Sequence, residues 1–173
     1  MEIGWSRPNA SFAHLYWINL YYRKMKKALF VGSFNPIHNG HIDLILRGVE
    51  LFDKLYIGIA ENNGKSGVQN ISERFNIVER AIQKLKIEQK KVKIVIIHGA
   101  TADFCVKNNI KFLLRGIRSG IDYEYESNIE FFNSEVANLE TVYLNGKPQH
   151  KNLSSSFIRE MQKYGKSIER YVP

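Results

Sequence analysis

The chain has 173 residues, 44% of them hydrophobic and 24% charged, enough apolar material for one domain with a real core and too much for a disordered chain. Its one cysteine, Cys105, excludes an intramolecular disulfide and a cysteine-based zinc site, and no apolar run approaches the ~20 residues that cross a bilayer. A formal net charge of +8 suits an anionic partner, although lysines such as Lys91 and Lys166 can equally serve to keep a surface hydrated.

Residues 1–24 include an aromatic stretch broken by His14 and Asn19, without the apolar core or small-residue cleavage site of a signal peptide. Met25-Lys26-Lys27 followed at once by an apolar run reads as the start of a domain. Residues 1–24 are therefore expected to be an extension of unread role, and residues 25–173 a single domain. Residues 28–31 predict a buried strand. The next segment, 39–52, predicts a helix whose inward face carries Ile42, Ile45, Leu46, Val49 and Phe52. A second strand follows at 55–60. A polar loop, 61–70, leads to Ser72 as N-cap of a second helix with Phe75, Val78, Ala81, Ile82 and Leu85 on its apolar stripe. Val92 to Ile97, rich in β-branched residues, predicts a third strand. Thr101 opens a short helix ending near Asn109, in which Cys105 is expected as a packed thiol. A short strand, 112–114, runs into Arg115. Then come a helix at 123–137, a strand at 141–144, and a last helix capped by Ser154 and stopped by Gly165.

Strands alternating with helices imply parallel strands joined by right-handed crossovers, hence a doubly wound, Rossmann-like α/β sheet of five parallel strands flanked by helices. Ligands of such sheets bind beyond the carboxyl ends of the strands. The chemically suggestive residues fall there: 33–41 after the first strand, Lys65 after the second, Thr101 after the third, Arg115 to Arg118 after the fourth, and His150 to Ser156 after the fifth.

The densest signal is Gly32-Ser33-Phe34-Asn35-Pro36-Ile37-His38-Asn39-Gly40-His41. A buried strand delivers a glycine, a hydroxyl and two histidines to the start of a helix, where unpaired N–H groups carry partial positive charge and suit a phosphate. Histidines three apart around a glycine can address the same anion. With Ser154-Ser155-Ser156 leading to Arg159, the motif His38-Asn39-Gly40-His41 resembles the nucleotidyltransferase superfamily marked by histidine-x-glycine-histidine. Leu114-Arg115-Gly116-Ile117-Arg118, followed by Asp122-Tyr123-Glu124-Tyr125-Glu126, resembles bacterial phosphopantetheine adenylyltransferases, across essentially residues 25–173.

That resemblance implies transfer of AMP from ATP to 4′-phosphopantetheine, giving dephospho-CoA and pyrophosphate, in a cytoplasmic homohexamer with Mg²⁺ arriving on ATP. It leaves feedback by coenzyme A open, and implies neither a nucleic-acid nor a membrane partner. The chain also departs from the family pattern. Ser33 stands where threonine is usual, Asn35 for aspartate, His38 for threonine, His150 for tryptophan and Leu153 for isoleucine. The changes at 35 and 38 make this loop resemble nicotinamide or nicotinate mononucleotide adenylyltransferases at least as well.

The reaction is attack by a phosphate oxygen, ionised near neutral pH, on the α-phosphorus of ATP, so it needs positioning and charge neutralisation rather than a general base. His41 is expected to donate to the α-phosphate as transition-state stabiliser. Ser33 would bring its hydroxyl and N–H to phosphate and Phe34 its backbone, unless Ser33 is only a turn residue. His38 either touches ATP or orders the loop. Lys65 would swing a cation onto the reacting phosphate, and Arg115 would hold the phosphate of the acceptor. Arg118, with Gly116 and Ile117 beside it, would take the β- or γ-phosphate. Both arginines could instead pair with Asp122, Glu124 or Glu126. The resemblance assigns Glu126 to the ATP site and Thr101 to the pantetheine arm, where Thr101 is equally an N-cap. His150, Lys151, Asn152 and Leu153 would cover the nucleotide, with Ser154, Ser155 and Ser156 on the triphosphate or acting only as caps. No metal-binding side chains are expected. A more distant reading is a non-catalytic RNA-binding module stacking bases on Tyr123, Tyr125, Phe131 and Phe132, opposed by the acidic residues around those rings.

Overall fold

Residues 25–61 and 70–173 are described in this computed structural model; residues 1–24 and 62–69, including Lys65, lie outside them. Strands and helices alternate: β1 (Lys27–Gly32), α1 (Asn39–Leu51), β2 (Lys54–Ala60), α2 (Ile71–Gln83), β3 (Val92–Ile97), α3 (Thr101–Lys107), β4 (Phe112–Ile117), α4 (Gly120–Ala137), β5 (Glu140–Asn145) and α5 (Ser155–Lys163). All four strand pairings are parallel, in the order β3-β2-β1-β4-β5.

The period-2 alternation of the strands builds a core on each face. Ala28, Phe30, Leu55, Ile57, Ile59 and Leu114 pack beneath α1 and α2. Leu29, Val31, Tyr56 and Leu113 pack on the other face with Cys105 of α3 and Leu139. The Cys105 thiol is buried, and burial pushes its pKa up to about 11, so it is a packing group and not a nucleophile. Gly58 shows how tightly β2 is sandwiched: a Cβ there would lie 2.4 Å from Ile97 Cδ1 and 2.9 Å from Leu29 Cδ1. Gly58→Ala should therefore cost about 1–3 kcal/mol by overpacking, read as a lower urea midpoint with an unchanged denaturant slope.

Several boundaries differ from the sequence reading. Helix α2 is capped by Asn70, whose side chain accepts from the Ser72 N–H, so Ser72 lies within the first turn. Ala100 holds the N-cap position of α3 and no side chain caps it, which removes the capping role from Thr101. Strand β4 continues through Arg115 and Gly116 to Ile117, because β5 pairs with it all along. Leu46 is exposed while Leu44 is buried. As read, Ser154 caps the last helix. That helix closes in a Schellman turn, with Gly165 at φ +64° and the Lys166 N–H donating to Met161 O at 2.9 Å.

Part of the positive charge is used within the fold. At the edge away from the carboxyl ends of the strands, Lys27 donates to Asn108 O at the end of α3 and Lys91 to Val49 O near the end of α1. Helix carboxyl ends carry partial negative charge, so these lysines complement them.

The chain order reverses at β1, which sits between β2 and β4. Residues 27–32 of β1 all pair with β2, whereas only Ala28 and Leu29 pair with β4. The two central strands thus part toward their carboxyl ends, and the crevice expected at a topological switch point opens between them.

Candidate active site

The crevice holds a cavity of about 250 Å³. Phe30 and Val31 of β1 form one wall, and Arg115 and Gly116 of β4 the other. His38, Gly40 and His41 at the start of α1 close one end, and Leu153, Ser154 and Ser155 at the start of α5 close another. Arg118, Glu126 and His150 also line it, so His41, Arg118 and Ser155 share one cleft.

His38 and His41 form a reciprocal cap. Nδ1 of His38 accepts from the His41 N–H at 3.3 Å, and Nδ1 of His41 accepts from the His38 N–H at 3.2 Å. The rings stack 3.6 Å apart. With both Nδ1 atoms acting as acceptors, each neutral imidazole carries its proton on Nε2. Burial, then the charge of Arg118, then that of His150, lowers the His38 pKa to about 4. Burial, His38 and Arg118 in that order hold His41 well below the usual histidine range. The pair is therefore neutral at pH 7 and presents N–H donors rather than cations. Gly40 makes room for this stack, since a Cβ there would meet the His38 ring at 3.1 Å.

A stability consequence follows. In the folded chain His38 stays neutral down to about pH 4, whereas an unfolded histidine protonates near 6.5. The unfolded state binds the extra proton between those values. This contribution is complete above about pH 6.5 and lost as pH falls toward 4, up to about 3 kcal/mol for His38. Urea unfolding at pH 7 and pH 4 should show a loss that is about 3 kcal/mol smaller in His38→Asn.

Both arginines are paired, as the alternative reading allowed. Arg115 Nε lies 3.2 Å from Glu126 Oε2 and its Nη1 donates to Val31 O at 3.1 Å, across the parted strands. Among the described residues no partner reaches its Nη2. Arg118 holds Asp122 Oδ2 through Nε at 3.0 Å and Oδ1 through Nη2 at 3.3 Å, and its Nη1 donates to Leu153 O at 3.1 Å. A carboxylate that orients an arginine leaves its charge in the cleft, so pairing and anion binding are compatible.

The serine hydroxyls are engaged elsewhere. Ser154 Oγ accepts from the Phe157 N–H, Ser155 Oγ donates to Pro36 O at 2.9 Å, and Ser156 Oγ accepts from Arg159 Nη2. Arg159 also donates to Asn35 O. What α5 offers an anion is its first backbone N–H groups, those of Ser155 and Ser156, while its side chains pin the loop after β1.

Some predicted residues stand off the cavity wall. Phe34 is 1% exposed with φ +45°, its ring 4.9 Å from that of His41. Ile117 ends β4, Lys151 and Asn152 are exposed, Ser33 follows β1, and Thr101 begins α3. None of these six lines the cavity, nor does Ser156, and Lys65 lies outside the described residues.

Other contributors were not singled out in the sequence. Asp43 is buried on the cavity wall and pairs with Arg47 at 2.9 Å and Lys147 at 2.7 Å. That ties the loop bearing His150 to α1. Asn39 donates from Nδ2 to Arg170 O, and its N–H to Tyr171 O, clamping the carboxyl-terminal segment onto the histidine motif. Arg74 reaches Ser33 O from α2. Polar pairings over such separations leave no periodic trace; only the oddity of an arginine among the apolar residues of α2 was available as a signal.

A parallel sheet with paired histidines, arginines and a helix start around its switch-point crevice defines a nucleotidyltransferase, and a family model described as cytidylyltransferase-like matches residues 29–161. Curated relatives narrow the class. Phosphopantetheine adenylyltransferases of Streptococcus agalactiae, Leuconostoc citreum and Frankia alni are 41%, 36% and 32% identical, each over 86% of this chain, and over 91%, 92% and 92% of their own lengths. The chain belongs to the phosphopantetheine adenylyltransferase family. Among solved structures, a nicotinic acid mononucleotide adenylyltransferase of Plasmodium falciparum complexed with NaAD matches with TM-score 0.66 at 14% identity, over 86% of this chain and 91% of that one. A bifunctional NMN adenylyltransferase/ADP ribose pyrophosphatase of Francisella tularensis matches with TM-score 0.68 at 16% identity, over 86% and 45%. At those identities the likeness is one of fold.

Proposed function

We propose that this chain transfers the adenylyl group of ATP to 4′-phosphopantetheine by direct in-line attack, releasing pyrophosphate and forming dephospho-CoA. The observation that carries the reading is the neutral imidazole pair at the switch point, its Nε2 donors in the same cavity as Arg115, Arg118 and the start of α5. The names of the bacterial relatives supply the acceptor.

In this reading the α-phosphate sits against His41 Nε2–H, and the N–H groups of Ser155 and Ser156 take the phosphates that leave. Arg115 Nη2 and Lys65 hold the acceptor phosphate, and Thr101 lies along the pantetheine arm. Arg118 adds charge beside the β- or γ-phosphate while its bond to Leu153 O sets the loop over the nucleotide. Glu126 orients Arg115. Ser33, the Phe34 backbone, Gly116, Ile117 and the residues 150–156 complete the ATP site. The acceptor phosphate, with a second pKa near 6, is already a dianion at neutral pH. Magnesium enters with the triphosphate: Asp43 and Glu126, the carboxylates on the cavity wall, are already paired with cations and do not fit as its ligands.

Residues 25–173 serve as the catalytic domain, the location is cytoplasmic, and the assembly is a homohexamer. The exposed Phe131 and Phe132 of α4 offer an apolar face for that assembly, and light scattering after gel filtration tests it. Among the described residues no helix is long and apolar enough to cross a membrane. Feedback by coenzyme A would act at the same cleft, as competition with the acceptor.

Parallel assays with ATP and either 4′-phosphopantetheine or nicotinamide mononucleotide test the reaction. Pyrophosphate release with the first acceptor and little with the second is expected. Turnover of the mononucleotide alone would replace this acceptor with the other. Salt-sensitive RNA binding without any pyrophosphate release would replace the enzyme with a binding module.

A further inference from the structure

Arg74 of α2 is a charged side chain only 2% exposed. Removing a guanidinium from water is costly unless acceptors surround it, so its partners are informative. Its Nη1 donates to the carbonyl of Ser33 at 2.6 Å and to that of Ala60 at 3.0 Å. Ser33 follows β1 at the root of the phosphate loop. Ala60 ends β2, at the root of the segment that carries Lys65. One nitrogen thus joins the residue that follows β1 to the last residue of β2.

We propose that Arg74 is a positioning residue for adenylyl transfer: by holding the Ser33 carbonyl it turns the Ser33–Phe34 peptide so that the Phe34 N–H faces the nucleotide phosphates. A planar trans peptide sets its C=O and N–H in opposite directions, so an oxygen bound to Arg74 sends the Phe34 N–H away from α2. Phe34 has φ +45°, a conformation costing a non-glycine residue about 1 kcal/mol or more, which needs holding from outside. Arg74 holds one side of that turn. On the other side the Phe34 ring packs 5.5 Å from Phe30 and 4.9 Å from His41, the proposed α-phosphate donor. A positive charge on the carbonyl also polarises the peptide and strengthens the N–H as a donor. The inference rests on the adenylyltransferase reading above.

The test uses Arg74→Lys and Arg74→Gln in the full chain, assayed with ATP and 4′-phosphopantetheine. Misplacing a preorganised donor should lower kcat about 10- to 100-fold in Arg74→Gln and less in Arg74→Lys, with the KM for ATP within about three-fold. Ser33→Ala should cost at least about five-fold less in the Arg74→Gln background than in the native chain, since both act on one peptide. Val78→Ala, a core change on the same helix, should lower the melting temperature without that loss of kcat. Additive effects of Ser33→Ala and Arg74→Gln, or a kcat unaffected by Arg74→Gln, would overturn the proposal. If neither Arg74 variant folds, NMR of the native chain decides: ATP should move the Phe34 amide proton downfield, and an unmoved signal overturns the proposal. Failure of the underlying reading looks different, because the native chain would then release no pyrophosphate.

Discussion

Replacing His41 with alanine should reduce kcat by about a thousand-fold while changing ATP affinity by no more than a few-fold. The reciprocal cap places the His41 proton on Nε2, and burial keeps the ring neutral. A neutral donor gains most when the α-phosphate oxygens accumulate charge in transit and little while ATP merely rests in the cleft. The loss therefore falls on turnover. The substitution also removes the acceptor of the His38 N–H, which should cost about 1 kcal/mol of stability, visible as a lower melting temperature. Single-turnover kinetics with isothermal titration of ATP separate these effects. Weaker ATP binding at unchanged kcat would assign His41 to ground-state binding. Because no imidazolium is required, kcat should also be flat from about pH 7 to 9, whereas a basic limb centred near 6.5 would mean a charged donor.

Arg115→Ala should raise the KM for the phosphorylated acceptor about 30- to 100-fold and leave the KM for ATP within about three-fold, the scale of one lost charge-assisted contact. In the native chain the side chain spans the opening between the central strands, with Val31 O at one end and Glu126 at the other. Its remaining Nη2 edge has no described partner and is what the acceptor phosphate would use. Alanine removes that edge and leaves a half-buried Glu126 carboxylate without its cation, which repels an incoming phosphate as well. Arg115→Lys keeps the charge but loses the planar fork, so its KM should fall between the two. A KM for ATP rising in parallel with that for the acceptor would place Arg115 in the nucleotide site instead.

The elements legible in the sequence were those whose signal is local. Apolar runs and β-branched residues marked β1, β2 and β3, and Ser154 and Gly165 marked the ends of the last helix. The described segments after β1, β4 and β5 meet at one cavity because parallel connectivity brings the carboxyl ends of the strands to one edge, whereas Thr101 after β3 stands off its wall and the segment with Lys65 lies outside the described residues. Strand β4 was read short, since Arg115 and Gly116 interrupt its apolar pattern and only pairing with β5 keeps them extended. On α1 the buried arc is wider than one apolar stripe and takes in Asp43, paired with Lys147 from the loop after β5, and Leu44, which packs against Gly116 of β4. The struts of the site were illegible for the same reason: Arg74 finds Ser33 across 41 residues and Ser155 finds Pro36 across 119. Such bonds depend on the finished fold. The serine run illustrates the gap between motif and geometry, since its position at a helix start was readable but the turning of all three hydroxyls toward protein partners was not.

With the two reactants facing each other in one cavity and no role for a covalent nucleophile, the adenylyl group would transfer in a single displacement. The most direct test is the stereochemical course at the α-phosphorus, followed with ATP made chiral there by sulfur substitution. One in-line displacement inverts the configuration, and inversion is predicted. Retention would require two displacements through an adenylated side chain and would contradict the account.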